Sequence, residues 1–492
     1  VSAQNGSWRS LWALVIGFFM ILVDTTIVSV ANPRIMASLD ADINQVLWAT
    51  SAYLLTYAVP LLVTGRLGDR FGPKRIYLLG LVVFTVASAW CGLSNSVEML
   101  IIARATQGVG AALLTPQTMA VITRTFPPQS RGQAMSLWGA AAAVATLVGP
   151  ILGGFIVDAL GWEWIFFVNV PVGVLGFVLA RRFVPVLETH SHRFDLPGVA
   201  LWSVALFSIV FAIQEGEGFN WGQIWGPISV WSLLAFGIVM LAGFLTWQRV
   251  GRGEPLLPLR LFADRNFSLA NVAIAMVGVS VTASAMPMMF YYQLVLGFTP
   301  TRSALQTIPT AVFSGLLAPW VGKLVDRVHP RLLATGGLVT MAAAMFWYAA
   351  WLVPDETLWW RLLLPATLMG LGAAFTWSPI GTSATYNLTG ADAGAGSGVY
   401  NSMRQVGSVL GSAAIAALMQ AQLVVHLGGS TAASQAESSG RLPPALQAGF
   451  STAMAMSMLL PATAALVAAG FTVAFAERKS RQAWTPSAGA SS

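Results

Sequence analysis

The chain has 492 residues, 56% hydrophobic and only 9% charged; soluble domains carry about 25% charged residues, so this is an integral membrane protein. Its net charge of +7 would suggest a nucleic-acid partner in a soluble chain. Here the basic residues fall in short loops between apolar runs, where they report topology and exclude nucleic-acid binding. One cysteine, Cys91, and four scattered histidines, His190, His192, His329 and His426, exclude an intrachain disulfide and offer no ligand spacing for zinc or haem, so neither metal nor cofactor is expected.

Runs of about 20 apolar residues cross roughly 30 Å of hydrocarbon as helices. Fourteen occur, near 11–31, 47–67, 76–93, 97–122, 134–157, 164–182, 196–213, 227–247, 268–290, 304–325, 332–352, 361–384, 397–421 and 451–475. They are continuously apolar and twice the length of a barrel strand, which implies helices. The first run carries a lone carboxylate, Asp24, and the fourth a lone guanidinium, Arg104. An ionisable group in hydrocarbon costs about 3 kcal/mol on insertion scales and usually serves an interior cavity. The small residues Ser29-Val30-Ala31 are not read as a leader cleavage site, because a leader has no reason to carry Asp24 and the chain stays apolar afterwards.

With the amino terminus inside, 20 of the 26 Lys and Arg lie on one side, 4 on the other, and Arg104 and Arg404 within spans. This asymmetry places both termini in the cytoplasm. The basic loops are Arg66 to Arg75, Arg124 to Arg131, Arg181 to Arg193, Arg249 to Arg265 and Lys323 to Arg331. Outer loops are acidic or neutral, with Asp40, Asp42, Glu215 and Glu217; the longest, about 426–449, is rich in Ser, Ala and Gly and reads as flexible.

The chain repeats itself. Gly65-Arg66-Leu67-Gly68-Asp69-Arg70 returns as Gly322-Lys323-Leu324-Val325-Asp326-Arg327, Gly108-Val109-Gly110-Ala111-Ala112 as Gly370-Leu371-Gly372-Ala373-Ala374, and Gly149 with Gly153 as Gly407 with Gly411. The offsets of 257, 262 and 258 residues agree. They imply an amino-terminal six-helix bundle (1–190), two inserted central transmembrane helices (191–260) and a carboxy-terminal six-helix bundle (261–492). Parallel halves with a midplane site between them are a transporter architecture. The acid and base are not repeated: Val281 and Ala366 stand where Asp24 and Arg104 would recur.

The segment Gly65 to Arg75 resembles the loop signature of the major facilitator superfamily. Asp24-Thr25-Thr26-Ile27-Val28, Arg104 to Gly110 and Gly149-Pro150-Ile151-Leu152-Gly153-Gly154 resemble motifs of its fourteen-span drug:proton antiporter subfamily, the multidrug efflux transporters. Phe166-Phe167-Val168-Asn169-Val170-Pro171 and Ser397 to Gln405 extend the likeness over nearly the whole chain. Departures are Ser29 for the usual Asn, Ala31-Asn32-Pro33 for Ala-Leu-Pro, and Glu163 for the Arg between two tryptophans. The resemblance implies proton-driven export by alternating access, two bundles rocking about a central cavity.

Depth supports a pairing. At 1.5 Å per residue, Asp24 lies about 5 Å and Arg104 about 8 Å outward of their spans' centres, near enough to meet directly or through water. They are assigned to proton coupling; a fixed ion pair that joins helices, and direct binding of a cationic substrate by Asp24, remain open. Gly65, Asp69, Arg70 and Gly72 form the gating motif, Asp69 serving as a latch against a helix amino end or a basic neighbour, although topology alone also accounts for the basic residues. Gly149, Pro150, Gly153 and Gly154 form the antiporter motif, which permits a kink and close helix approach, with plain packing an equal reading. Tyr53, Tyr57, Trp138, Tyr292, Trp377, Asn401, Arg404 and Gln405 are assigned to an aromatic, polar-spotted substrate cavity, each open to a packing role instead.

No nucleotide-binding loop GxxxxGK[ST] occurs, so the proton gradient is the expected energy source. The expectation is a monomeric, multi-pass, cell (inner) membrane efflux protein whose partners are amphipathic or cationic small molecules, protons and membrane lipids. Export or flipping of an endogenous lipid or metabolite is the alternative, and a membrane enzyme or sensor the distant one.

Overall fold

The computed structural model describes residues 2–126, 128–187, 189, 195–216, 218–251, 255–325, 327–354, 360–385, 388, 390–427 and 442–476. His190, His192, Arg193, Glu217 and Asp326 lie outside the described residues, as do the side chains of Asp69, Trp138 and Ser397.

The first half contains α1 (Ser2–Leu39), α2 (Ile43–Phe71), α3 (Pro73–Gly92), α4 (Val97–Thr125), α5 (Pro128–Ala159), α6 (Trp164–Phe167) and α7 (Asn169–Phe183). A central hairpin follows: α8 (Leu196–Gln214), strands β1 (Gln223–Trp225) and β2 (Ile228–Ser229), and α9 (Val230–Val250). The second half contains α10 (Arg265–Phe290), α11 (Pro300–Leu305), α12 (Ile308–Leu324), α13 (Pro330–Trp351), α14 (Leu363–Thr385), α15 (Gly390–Leu427), α16 (Pro444–Ser457) and α17 (Leu459–Val473). Backbone groups in hydrocarbon must be satisfied within the segment, so apolar runs become helices, and short polar side chains close their ends. Asp42 and Gln45 make a reciprocal capping box on α2, Ser96 caps α4 and Asp264 caps α10.

Twelve helices among the described residues are long and apolar enough to cross a membrane. The second and fifth expected runs are α2, 29 residues, and α5, 32 residues. Of α5, Val148–Ala159 qualifies as a shorter apolar helix. Two expected single runs are broken. The sixth divides into α6 and α7 at Val168, and the last into α16 and α17 at Met458. In each case a proline, Pro171 or Pro461, sits in the first turn of the following helix, where its missing N–H costs little. The ninth run extends into a π-turn at Tyr291–Val295. Of the loop expected near 426–449, α15 takes the residues up to Leu427 and α16 those from Pro444, while 428–441 lie outside the described residues.

In the first half α1 packs on α5, and α4 on both α2 and α3; in the second α10 packs on α15, and α14 on both α12 and α13. The hairpin lies against α2 and α15 through α8. β1 and β2 pair antiparallel at its tip, Gln223 opposite Ser229 and Trp225 opposite Ile228. Glu215 ties α8 to α2, accepting hydrogen bonds from Asn44 Nδ2 at 3.0 Å and from Trp48 Nε1. Between halves, polar contacts gather where α1 and α10 end. Gln293 Nε2 donates to Val30 O at 2.8 Å, Thr301 N to Asp158 Oδ2 at 2.8 Å, and Asn32 Nδ2 points at Met286 Sδ at 3.2 Å. Deeper, the hydroxyls of Ser51 on α2 and Ser412 on α15 share a hydrogen bond at 2.8 Å.

Candidate functional site

Asp24 of α1 and Arg104 of α4 meet directly. Arg104 Nη1 lies 2.6 Å from Asp24 Oδ2, with side-chain exposures of 1% and 0%. It is the one ion pair among the described residues. Burying two charges costs several kcal/mol per ion unless further hydrogen bonds offset it, and here both Asp24 oxygens and the Nη1 and Nε atoms of Arg104 have partners. Gln107 stands one turn beyond Arg104, so both side chains leave the same face of α4. Its Oε1 accepts from Arg104 Nη1 at 2.7 Å, and its Nε2 donates to Asp24 Oδ1 at 2.9 Å and approaches Ser88 Oγ at 3.2 Å. Asn169, the first residue of α7, donates Nδ2 to Asp24 Oδ1 at 2.8 Å and reaches Ser88 Oγ at 3.0 Å. The Ser88 hydroxyl donates onward to Phe166 O at 2.9 Å. The break between α6 and α7 serves this site, since it sets the Phe166 carbonyl and the Asn169 amide side by side.

Three N–H donors therefore point at the Asp24 carboxylate from α4 and α7. Two of them share Oδ1 and one takes Oδ2, so the carboxylate ties α1 to both α4 and α7. On its other side the guanidinium lies 4.1 Å from the Tyr53 ring centroid and 5.7 Å from that of Phe166, and its Nε donates to Ala49 O at 3.4 Å. Tyr53 and Phe166 are fully buried. Desolvated cation–π contacts of this kind contribute about 2 kcal/mol.

The residues assigned to a cavity divide. Tyr53 and Tyr57 stack along α2 with centroids 6.0 Å apart, and Tyr57 shares a 2.8 Å hydroxyl hydrogen bond with Thr115 of α4. From the other half, Arg404 on α15 lies within electrostatic range of Tyr57 and Tyr400. Gln405 is buried beside it, while Asn401 and Arg404 are half-buried. Tyr57 and Arg404 thus approach each other at the seam between α2 and α15, while Tyr53 turns toward Arg104. Tyr292 does not: it is buried in the π-turn, its ring 6.2 Å from and nearly parallel to Phe298. Trp377 is 38% exposed on α14.

The gating segment forms the turn between α2 and α3. Gly72 adopts φ +92°, a conformation that disfavours a side chain, and its N–H bonds to Gly68 O at 2.9 Å. A β-carbon on Gly68 would overlap the Gln117 side chain, whose Nε2 donates to Thr64 O at 2.7 Å. Gly65 faces Pro116, and Arg70 is exposed with its guanidinium 5.5 Å from the Phe71 ring. Arg66 reaches across to donate to Pro255 O at 2.5 Å. In the antiporter segment Gly149 and Gly153 abut Thr26 and Ile27 of α1, and Pro150 is buried within α5. Gly154 faces the other half instead, where a β-carbon would come within 2.7 Å of Pro300 O.

Residues 14–412 match the family model described as Major Facilitator Superfamily. The chain belongs to the major facilitator superfamily. This superfamily member is 50% identical over 476 residues to an uncharacterized MFS-type transporter of Mycobacterium tuberculosis, covering 95% of this chain and 81% of the relative. It is 34% identical over 426 residues to the tetracenomycin C resistance and export protein of Streptomyces glaucescens, covering 85% and 76%. Among solved structures it is similar in fold to a D-xylose-proton symporter, with a TM-score of 0.65 at 15% identity over 96% of this chain and 98% of the other. Membership makes the chain a multi-pass membrane transporter.

Gln107, Asn169 and Ser88 carry the site without having been singled out by sequence. Two left a signal. Gln107 follows Arg104 by three residues on one helical face, and Asn169 is the lone amide in an apolar run. Ser88 left none, because a helical serine ordinarily bonds its own preceding turn.

Proposed function

We propose that this chain is a proton-coupled exporter of amphipathic, cationic drug-like compounds that works by alternating access, with Asp24 as the proton site and Arg104 as its modulator. The observation that carries this reading is the enclosure of the Asp24 carboxylate by donors from α4 and α7, with Tyr53 covering Arg104 on the side toward α2. Protonation releases that knot and lets α1 move against its neighbours. Substrate enters along the seam of Tyr53, Tyr57, Arg404 and Gln405 and is coupled to Asp24 through the covering aromatic ring rather than by direct contact. With both termini cytoplasmic, the contacts of Val30, Asn32, Gly154 and Asp158 with the other half close the outer end, and this is the inward-facing state. Fourteen spans, the two inserted helices among them, complete the assignment, with Asp69 as the cytoplasmic latch. Relatives named for antibiotic resistance and export favour drug-like cargo over an endogenous lipid.

Substrate-dependent proton flux in proteoliposomes tests this. Lipophilic cationic dyes added to the wild type are expected to drive proton movement opposite to dye movement, while native phospholipids are not. Proton flux with lipid and none with dye would reassign the cargo; dye movement without any proton flux would refute the coupling.

A further inference from the structure

Between the last turn of α9 and the 3-10 turn at Leu259–Ala263 lies a cavity of about 520 Å³, lined by Gln248, Arg249, Pro255, Pro258, Leu259 and Arg260. It is remote in sequence from every residue of the Asp24 site and occupies the joint where the central hairpin passes into the second half. Among the described residues that line it, two are arginines and none is acidic. Among the described residues Arg249 has no ion-pair partner.

The walls are fixed by hydrogen bonds. Gln248 is buried, and both ends of its amide are used: Nε2 donates to Asp195 Oδ2 at 2.7 Å, and Oε1 accepts from Leu257 N at 3.2 Å. Asp195, which caps α8, also accepts from Trp247 Nε1 at 2.7 Å. Arg66, near the end of α2, donates to Pro255 O in the lining. The cavity is thereby tied to α2, α8 and α9 together.

Its surroundings select the ligand. The last turns of α9 present apolar side chains outward, Trp247 41% and Val250 72% exposed, with Leu245 at 41% one turn earlier. Guanidiniums at the end of a spanning helix lie at headgroup depth, and the apolar surface beside them lies at acyl depth. Basic pockets between transmembrane helices on the cytoplasmic side recognise anionic headgroups, and arginine suits a phosphate through its forked donors. A free phosphate would use the arginines alone and leave the apolar flank idle. We propose that this cavity binds the phosphate of an anionic phospholipid of the cytoplasmic leaflet, with its acyl chains along α9, joining the hairpin to the second half.

The test uses the full chain, purified and titrated with phosphatidylglycerol while bound lipid is counted by native mass spectrometry. Arg249→Gln/Arg260→Gln is expected to weaken binding of one phosphatidylglycerol by about tenfold or more, the loss of one strong charge-assisted contact. Arg181→Gln/Arg182→Gln, which removes two exposed arginines from the last turn of α7, is expected to leave that binding unchanged, and millimolar inorganic phosphate is expected not to compete. Equal loss in both pairs, loss in neither, or displacement by inorganic phosphate overturns the proposal. Should the double variant not accumulate, a photoreactive phosphatidylglycerol on the wild type decides. Adducts on residues 245–260 support the site, and adducts confined to other peptides overturn it.

Discussion

In the first half a β-carbon on Gly108 would overlap the Tyr53 carbonyl of α2; in the second, one on Gly370 would collide with Thr310 of α12. Gly149 admits Thr26 and Val23 of α1 in the same way that Gly407 admits Ala275 of α10. The repeat is thus a repeat of helix contacts, with matching glycines at matching crossings. Helices in lipid gain no hydrophobic drive toward each other and associate through close packing, which small residues permit. The polar chemistry is not duplicated. Where the first half has Asp24 and Arg104 knotted with Gln107 and Asn169, the second has Val281, 38% exposed, and Ala366, fully buried. Scaffold and chemistry are therefore separable: glycines built both bundles, and the buried ion pair was placed in one.

Five substitutions probe this contrast. The largest effect belongs to Arg104→Ala, which leaves the Asp24 carboxylate buried and unpaired and should cost about 3–5 kcal/mol, read as a lowered unfolding midpoint in detergent. A loss below 1 kcal/mol would mean that water or another cation reaches the site, and the contrast between halves would weaken. Next come Gly407→Val and Gly149→Val, each expected to destabilise by up to about 3 kcal/mol through overpacking, the former more because it meets the Ala275 backbone and the latter chiefly the Thr26 side chain. A large loss in one and none in the other would show that the halves do not share a scaffold. Asn169→Ala removes one charge-assisted hydrogen bond and should cost about 2 kcal/mol, with slower proton-driven transport; unchanged transport would confine Asn169 to packing. Smallest is Val281→Thr at the Asp24-equivalent position, expected to stay within about 0.5 kcal/mol with normal transport. A strong transport defect there would place coupling in both bundles.

Much of this was legible in the sequence. Continuous apolar runs dictate the helices because hydrocarbon leaves the backbone no alternative, and depth counting along the sequence brings Asp24 and Arg104 to one level. Gln107 was within reach of the same reasoning, being on Arg104's face. Asn169 was harder, because its arrival at Asp24 depends on α6 breaking at Val168 and α7 docking on α3, neither of which a hydropathy pattern encodes. Glu215 was read as an outer-loop acid; its bonds to Asn44 and Trp48 depend on where α8 packs. Tyr292 and Tyr57 look alike as aromatic residues in apolar runs, and only tertiary packing separates the π-turn knot from the α2–α15 seam. Asp69 and Trp138 have side chains outside the described residues; the role of Asp69 rests on the loop motif, and that of Trp138 on its being an aromatic residue in an apolar run.

The central claim is that a proton on Asp24 drives substrate uphill. Asp24→Asn preserves shape and removes the titrating group. Reconstituted in liposomes, it should exchange labelled dye for unlabelled dye at near wild-type rates when concentrations are equal, and it should fail to accumulate dye against its gradient under an imposed pH difference. Uphill accumulation at the wild-type level by Asp24→Asn would contradict the account.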